Sequence, residues 1–181
     1  GAHYLMVMPA RWNGVLVVHA HGGPVQGEPT AARADADIAR WAITVQEGYA
    51  WVGSVFRQGG FAVTSAAEDT ERVRRIFVRH VGIPRRVLLH GQGWGAMVAT
   101  RAAERYPRAW DGVLLTSGVV GGVDSYDFRL DLRLVVQYYC GNLPRPGEAA
   151  YPSWMGLGPD ARMTRADVEA RADECLGVKR P

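Results

Sequence analysis

The chain of 181 residues is long enough for one domain with a sizeable core, and its 48% hydrophobic and 22% charged residues place it among ordinary globular proteins. No apolar run approaches the ~18 residues that a membrane-spanning helix requires, so no such span is expected. The net charge of +3 is carried almost wholly by arginine, with Lys179 the only lysine; Arg72, Arg74, Arg75, Arg79, Arg101 and Arg105 alternate with Glu68, Asp69, Glu71 and Glu104, which reads as a solvated mixed face and not as a nucleic-acid surface.

In chain order, Tyr4 to Met8 reads as an entering strand and Pro9 to Gly14 as a turn. Val15 to His19 is an apolar run, hence a buried strand. Glu28 to Glu47 is expected to be one helix, because Ile38, Trp41, Ala42 and Val45 repeat at i, i+3, i+4, i+7 and Gly48 stops it. Tyr49 to Phe56 gives a third strand, followed by a loop through Gly59 and Gly60. Ser65 and Glu68 have the spacing of a capping box, and the helix they would open carries Val73, Ile76, Phe77 and His80 or Val81 on its core face. Beyond Pro84 come a strand over Arg85 to His90, a helix from about Gly95 to Tyr106 halted by Pro107, and a strand over Gly112 to Ser117. Strands alternating with helices imply parallel pairing through right-handed crossovers, a doubly wound sheet covered on both faces.

Two junctions in this pattern carry chemistry. Val87 to Met97 reads Val-Leu-Leu-His-Gly-Gln-Gly-Trp-Gly-Ala-Met, a buried strand running into a glycine-flanked turn and then a helix. Gly14 to Pro24 reads Gly-Val-Leu-Val-Val-His-Ala-His-Gly-Gly-Pro, a second buried strand ending in His-Gly-Gly. The first resembles the G-x-S-x-G nucleophile elbow and the second the oxyanion loop of the α/β-hydrolase superfamily. The resemblance extends from about Tyr4 to Gly118 and is greatest to serine esterases and acyl hydrolases of the secreted bacterial kind.

The resemblance implies a mostly parallel α/β-hydrolase sheet over residues 1–118 and a site on that sheet's C-terminal edge. Gly93 stands at the nucleophile position, where serine is expected, between the flanking Gly91 and Gly95. The backbone amides of Gly22 or Gly23 and of Trp94 would form the oxyanion hole, each donor typically contributing ~3 kcal/mol to transition-state stabilisation. Gln92, Arg57 and Phe61 are expected to line the pocket, which would take a small-molecule ester or acyl substrate without metal or cofactor. The superfamily places its acid and then its histidine after the nucleophile. Here His3, His19, His21, His80 and His90 all precede Gly93. The C-terminal strands of the fold are not found, and the remaining part of the hydrolase, in another segment or chain, would supply Asp or Glu and His. His19 and His90 read as packed residues, and His19 with His21 lacks further ligands for zinc. As written, with glycine at 93, the chain is expected to be an inactive form of a serine hydrolase; the rival readings are a non-catalytic binding protein of the same fold and a peptidase or amidase.

After Gly118 the character changes. Tyr126 to Tyr139 is helix-like, with Phe128, Leu132, Val135 and Tyr139 on one face; Asn142 to Pro159 is rich in proline, glycine and aromatics; Thr164 with Asp167 caps a last helix. Residues 119–181 are read as the beginning of a helical lid. Cys140 and Cys175, both in this part, are expected to form a disulfide, which favours a secreted or periplasmic protein over a cytoplasmic one. No signal peptide is visible before Tyr4.

Overall fold

The computed structural model describes residues 2–24, 27–122, 124–141 and 165–178. It divides into two compact units, Gly1–Gly122 and Val123–Pro181.

The first unit is built on a five-stranded sheet of β1 (Tyr4–Val7), β2 (Val15–Ala20), β3 (Ala50–Ser54), β4 (Arg86–Gln92) and β5 (Gly112–Thr116), in the order β1-β3-β2-β4-β5. Only β1 runs antiparallel to its neighbour; β3, β2, β4 and β5 are parallel. This is the expected mostly parallel α/β sheet. Its crossover helices are α1 (Ala31–Arg40), α2 (Ala42–Gln46), α3 (Val63–His80) and α4 (Trp94–Arg105). β2 and β3 are buried along nearly their whole length, as strands covered on two faces must be. One core lies under α3 and α4, where Ala66, Ala67, Val73, Phe77, Ala96, Val98, Ala99 and Ala102 meet Leu16, Val18, Val52 and Leu89. The small residues of α4 let that helix lie close to the sheet.

On the opposite face Val17, His19, Leu88, His90 and Leu114 share a side, since β2, β4 and β5 pair Val17 with Leu88, His19 with His90 and His90 with Leu114. Trp41, Ile43, Thr44 and Tyr49 stand beside them around a cavity of about 360 Å³. β5 closes the sheet on one side only, and Val113, Leu114 and Leu115 along it are all exposed.

Three sequence expectations change. The helix drawn over residues 28–47 is two helices starting at Ala31. Pro29 excludes Glu28 from helical geometry, and at Trp41 (φ −108°, ψ 22°) the chain leaves the helix while the indole turns onto His19 and His90. The capping box is not formed, because α3 already begins at Val63: Ser65 Oγ bonds the carbonyl of Ala62, and Glu68 is taken by Arg57. On α3 the core face is Ala66, Ala67, Thr70, Val73 and Phe77, with Val81 and His80 outside it.

The second unit contains α5 (Asp124–Tyr139) and α6 (Arg165–Leu176), joined by the expected disulfide between Cys140 and Cys175. The apolar stripe of Phe128, Leu132, Val135 and Tyr139 is largely exposed, because helical spacing specifies a stripe and not its partner. The Asn142 to Pro159 stretch and the Thr164 cap lie outside the described residues.

Candidate active site

β4 ends at Gln92 and α4 begins at Trp94, so a single residue, Gly93, makes the entire turn. Its φ of 56° and ψ of −118° lie where L side chains are strained. Three hydrogen bonds hold it there: its amide donates to the carbonyl of Thr116, and its own carbonyl accepts from the amides of Ala96 and Val119. The flanking glycines are required by contact. A Cβ at Gly91 would overlap the carbonyl of Gly95, and one at Gly95 would overlap the carbonyls of Ala20 and His21. Gly93 itself has open space above it, with nothing within 4 Å of a Cβ placed there. A side chain at 93 would therefore project freely from the sheet edge.

The loop of His21, Gly22 and Gly23 leaves β2 beside this turn. A Cβ at Gly22 would lie 3.2 Å from the carbonyl of Gln92, and Gly23 has φ 84°. The structure thus brings Gly22 and the Gly91–Gly95 turn together. Trp94 is the first residue of α4, where backbone amides have no partner within the helix and the helix dipole is positive. Its ring is buried and stands edge-on to Phe56 and Phe61, at 5.8 and 6.3 Å.

Of the expected lining residues, Phe61 is half exposed against Trp94, and Gln92 ends β4 beside Gly22. Arg57 is committed elsewhere: its guanidinium bonds Glu68 at 2.5 Å and Asp69 at 2.8 Å, and its amide donates to the same Asp69 carboxylate. Arg57 ties the loop after β3 to α3. Most arginines of α3 and α4 are likewise paired, Arg74 and Arg75 with the buried Glu71 and Arg101 with Glu104, which accounts for the mixed face.

Beneath the loop lies a buried polar group that the sequence did not announce. Asp37, on α1, accepts a 2.6 Å hydrogen bond from His21 Nδ1 and lies 3.7 Å from His19 Nε2, outside hydrogen-bond reach. His19 Nδ1 is 2.9 Å from His90 Nδ1, and His90 Nε2 is 3.1 Å from Thr116 Oγ1. Burial alone would raise the Asp37 carboxyl, but the two histidines outweigh it and hold it down at about 2. Burial, with His19 alongside, pushes His90 down to about 4. Near neutral pH Asp37 is thus a carboxylate and His90 a neutral ring. His-Ala-His hinted at paired rings, but nothing in the spacing of Asp37 or Thr116 tied them to those rings. Among the described residues no group of histidine, cysteine and carboxylate side chains is arranged to hold a metal.

Among the described residues two non-glycine positions also take positive φ, Phe56 at 58° and Ser117 at 48°. They follow β3 and β5, so with Gly93 three strand ends leave the same sheet edge through left-handed turns.

No family model matches the chain. It is 27% identical over 115 residues to the o-phthalyl amidase of Xanthobacter agilis, a match that covers 62% of this chain and 24% of that protein. Among solved structures, an α/β serine hydrolase without lid from Xanthomonas campestris superposes with a TM-score of 0.52 at 18% identity, covering 70% of this chain and 60% of that one. An acetyl xylan esterase from Aspergillus awamori matches with a TM-score of 0.49 at 18% identity over 67% of this chain and 48% of that one. The chain therefore spans about a quarter of the curated relative's length and no more than 60% of these two solved chains.

Proposed function

The chain has the α/β-hydrolase fold, and from that premise we propose that it carries the nucleophile turn and oxyanion loop of a hydrolase acting on ester or acyl bonds of small molecules. The observation that carries this reading is the turn at Gly93. Strand and helix approach so closely that only glycine fits at 91 and 95, while position 93 is left open at the sheet edge in a backbone conformation that side chains rarely adopt. Such strain is retained where a site needs it.

In the proposed chemistry a serine oxygen at position 93 attacks the carbonyl carbon, and the amides of Trp94 and of Gly22 or Gly23 receive the developing oxyanion. A histidine oriented by Asp or Glu takes the serine proton and returns it to the leaving group. Glycine at 93 supplies no attacking oxygen, so this chain is proposed to be inactive as written. The histidine and acid would come from another segment or chain of the hydrolase. β5 is where such a segment would join, because its edge, unpaired among the described residues, and the exposed Val113, Leu114 and Leu115 would be covered by an added strand. Residues 119–181 are proposed as the beginning of the lid, and the Cys140–Cys175 disulfide supports a secreted or periplasmic setting.

An amide bond is the second reading, favoured by the likeness to a protein named as an amidase. The test is Gly93→Ser in the longest natural chain, assayed with an activated ester, the matching anilide and a fluorophosphonate probe. Labelling at residue 93 with turnover is expected, and the ester-to-anilide ratio separates the two bonds. Absence of both labelling and turnover in a folded variant overturns the catalytic reading in favour of a binding protein of the same fold.

A further inference from the structure

We propose that Asp37 is a positioning residue for the oxyanion loop, clamping its first residue, His21, and tying it through His19, His90 and Thr116 to the strand end that holds Gly93. This rests on the hydrolase reading for its purpose, although the clamp itself stands on geometry alone. The loop of His21, Gly22 and Gly23 begins where β2 stops, so no strand ladder fixes it beyond Ala20. Its two glycines contribute no side chain to hold it. Asp37 supplies the missing anchor from a different element, the 2.6 Å bond to His21 Nδ1.

The remainder of the array reaches the other side of the site. With Asp37 ionised and His90 neutral, one arrangement of protons suits the His19–His90 and His90–Thr116 contacts, while His19 Nε2 faces the Asp37 carboxylate at 3.7 Å without a hydrogen bond. His19 carries its proton on Nε2, toward Asp37, and accepts at Nδ1. His90 donates from Nδ1 across 2.9 Å and accepts at Nε2 from the Thr116 hydroxyl. The backbone carbonyl of the same Thr116 receives the amide of Gly93 at 3.0 Å. A line of donors and acceptors therefore runs from the elbow as far as His19, and an electrostatic contact of 3.7 Å, longer than a hydrogen bond, joins it to Asp37 and the loop. His90, pushed to low basicity, suits a fixed donor better than a proton carrier. The two halves of the oxyanion site belong to separate strands, β2 and β4, and their relative placement sets the distance between the donors of Trp94 and of Gly22 or Gly23. Small errors in such placement are costly to catalysis.

The test uses isotope-labelled protein and the variants Asp37→Asn, His21→Asn and His21→Leu. In His21→Asn the side-chain amide can still donate to Asp37. Long-range nitrogen–proton spectra are expected to show His90 protonated on Nδ1 and His19 on Nε2. In Asp37→Asn and His21→Leu, backbone nitrogen-15 order parameters at Gly22 and Gly23 should fall from rigid values to below about 0.6, with α3 and β1 unchanged, while His21→Asn stays near the parent. Unchanged order at Gly22 and Gly23, or loosening spread over the whole unit, overturns the proposal. Where Gly93→Ser confers turnover, adding Asp37→Asn should lower kcat about tenfold with KM within about twofold. If Gly93→Ser stays silent, the hydrolase reading falls, and the relaxation measurements still decide the clamp.

Discussion

His19 and His90 face each other across the β2–β4 ladder with their Nδ1 atoms 2.9 Å apart, a pair in which one ring must donate and the other accept. Burial is the larger cause of the low basicity of His90, and His19 adds to it, since two imidazolium rings cannot share that space. The folded chain refuses a proton at His90 that the unfolded chain accepts, so stability is complete above the ordinary value of 6.5 and is lost as pH falls toward about 4, by about 3 kcal/mol. The groups facing His90 are His19, Asp37 and Thr116. Asp37, lowered from 3.8 to about 2, adds a second loss of about 2 kcal/mol below that range. Denaturant titrations at pH 7, 5.5 and 4.5 should show the first slope, and His90→Gln should flatten it from a lower starting stability; a flat profile in the parent chain would contradict the pairing.

The three elbow glycines should separate cleanly. Gly91→Ala and Gly95→Ala each drive a methyl group into a backbone carbonyl that cannot yield, at about 3 kcal/mol or more. Gly93→Ala meets open space and incurs only its positive φ, about 1 kcal/mol. Chemical denaturation of the three variants gives the order directly.

Arg57 and Arg72 both reach Asp69, whose side chain is only 1% exposed. Arg57 does so at 2.8 Å while itself partly buried; Arg72 does so at 3.4 Å from a side chain 60% exposed. Arg57→Ala leaves a buried carboxylate with a weak partner and should cost about 2 to 3 kcal/mol, whereas Arg72→Ala should cost less than about 1 kcal/mol. Loss of the Arg57 pair should also loosen the loop carrying Phe61, seen as faster proteolysis there.

The bond between Cys140 and Cys175 closes a loop with a sequence separation of 35. Loop-closure entropy gives it roughly 4 kcal/mol of stabilisation over the reduced chain. Reduction, or Cys140→Ser, should lower the helical signal of the second unit while leaving amide protection in β2, β3 and β4 unchanged. A uniform loss across both units would show that they fold as one.

The strands and their mostly parallel pairing were largely legible because β2, β3 and β4 are short apolar runs punctuated by glycine, and burial on both faces requires that composition. The tight strand-to-helix turn was legible for a stricter reason: Gly91 and Gly95 are fixed by backbone contact, so the spacing survives wherever strand and helix pass this closely. Helix starts were less so. Pro29 overrode the periodicity that extended the first helix to Glu28, and Ser65 was drawn to the Ala62 carbonyl instead of capping. The clamp under the oxyanion loop was hidden, since Asp37 sits sixteen residues from His21 and Thr116 twenty-six from His90, separations that only the folded sheet resolves. The exposed stripe of α5 shows the converse, a pattern legible in sequence whose counterpart the pattern does not name.

Phe56 and Ser117 bend backward at the ends of β3 and β5, on either side of the site, in conformations that glycine would adopt with less strain. Phe56→Gly would relieve its bend and also remove the ring that props Trp94, the residue proposed to bear one oxyanion donor. Selection for a hardier protein and selection for a well-shaped rim thus pull this pair of positions in opposite directions, and a laboratory search for thermostable variants that ignores the rim would be drawn to erase it.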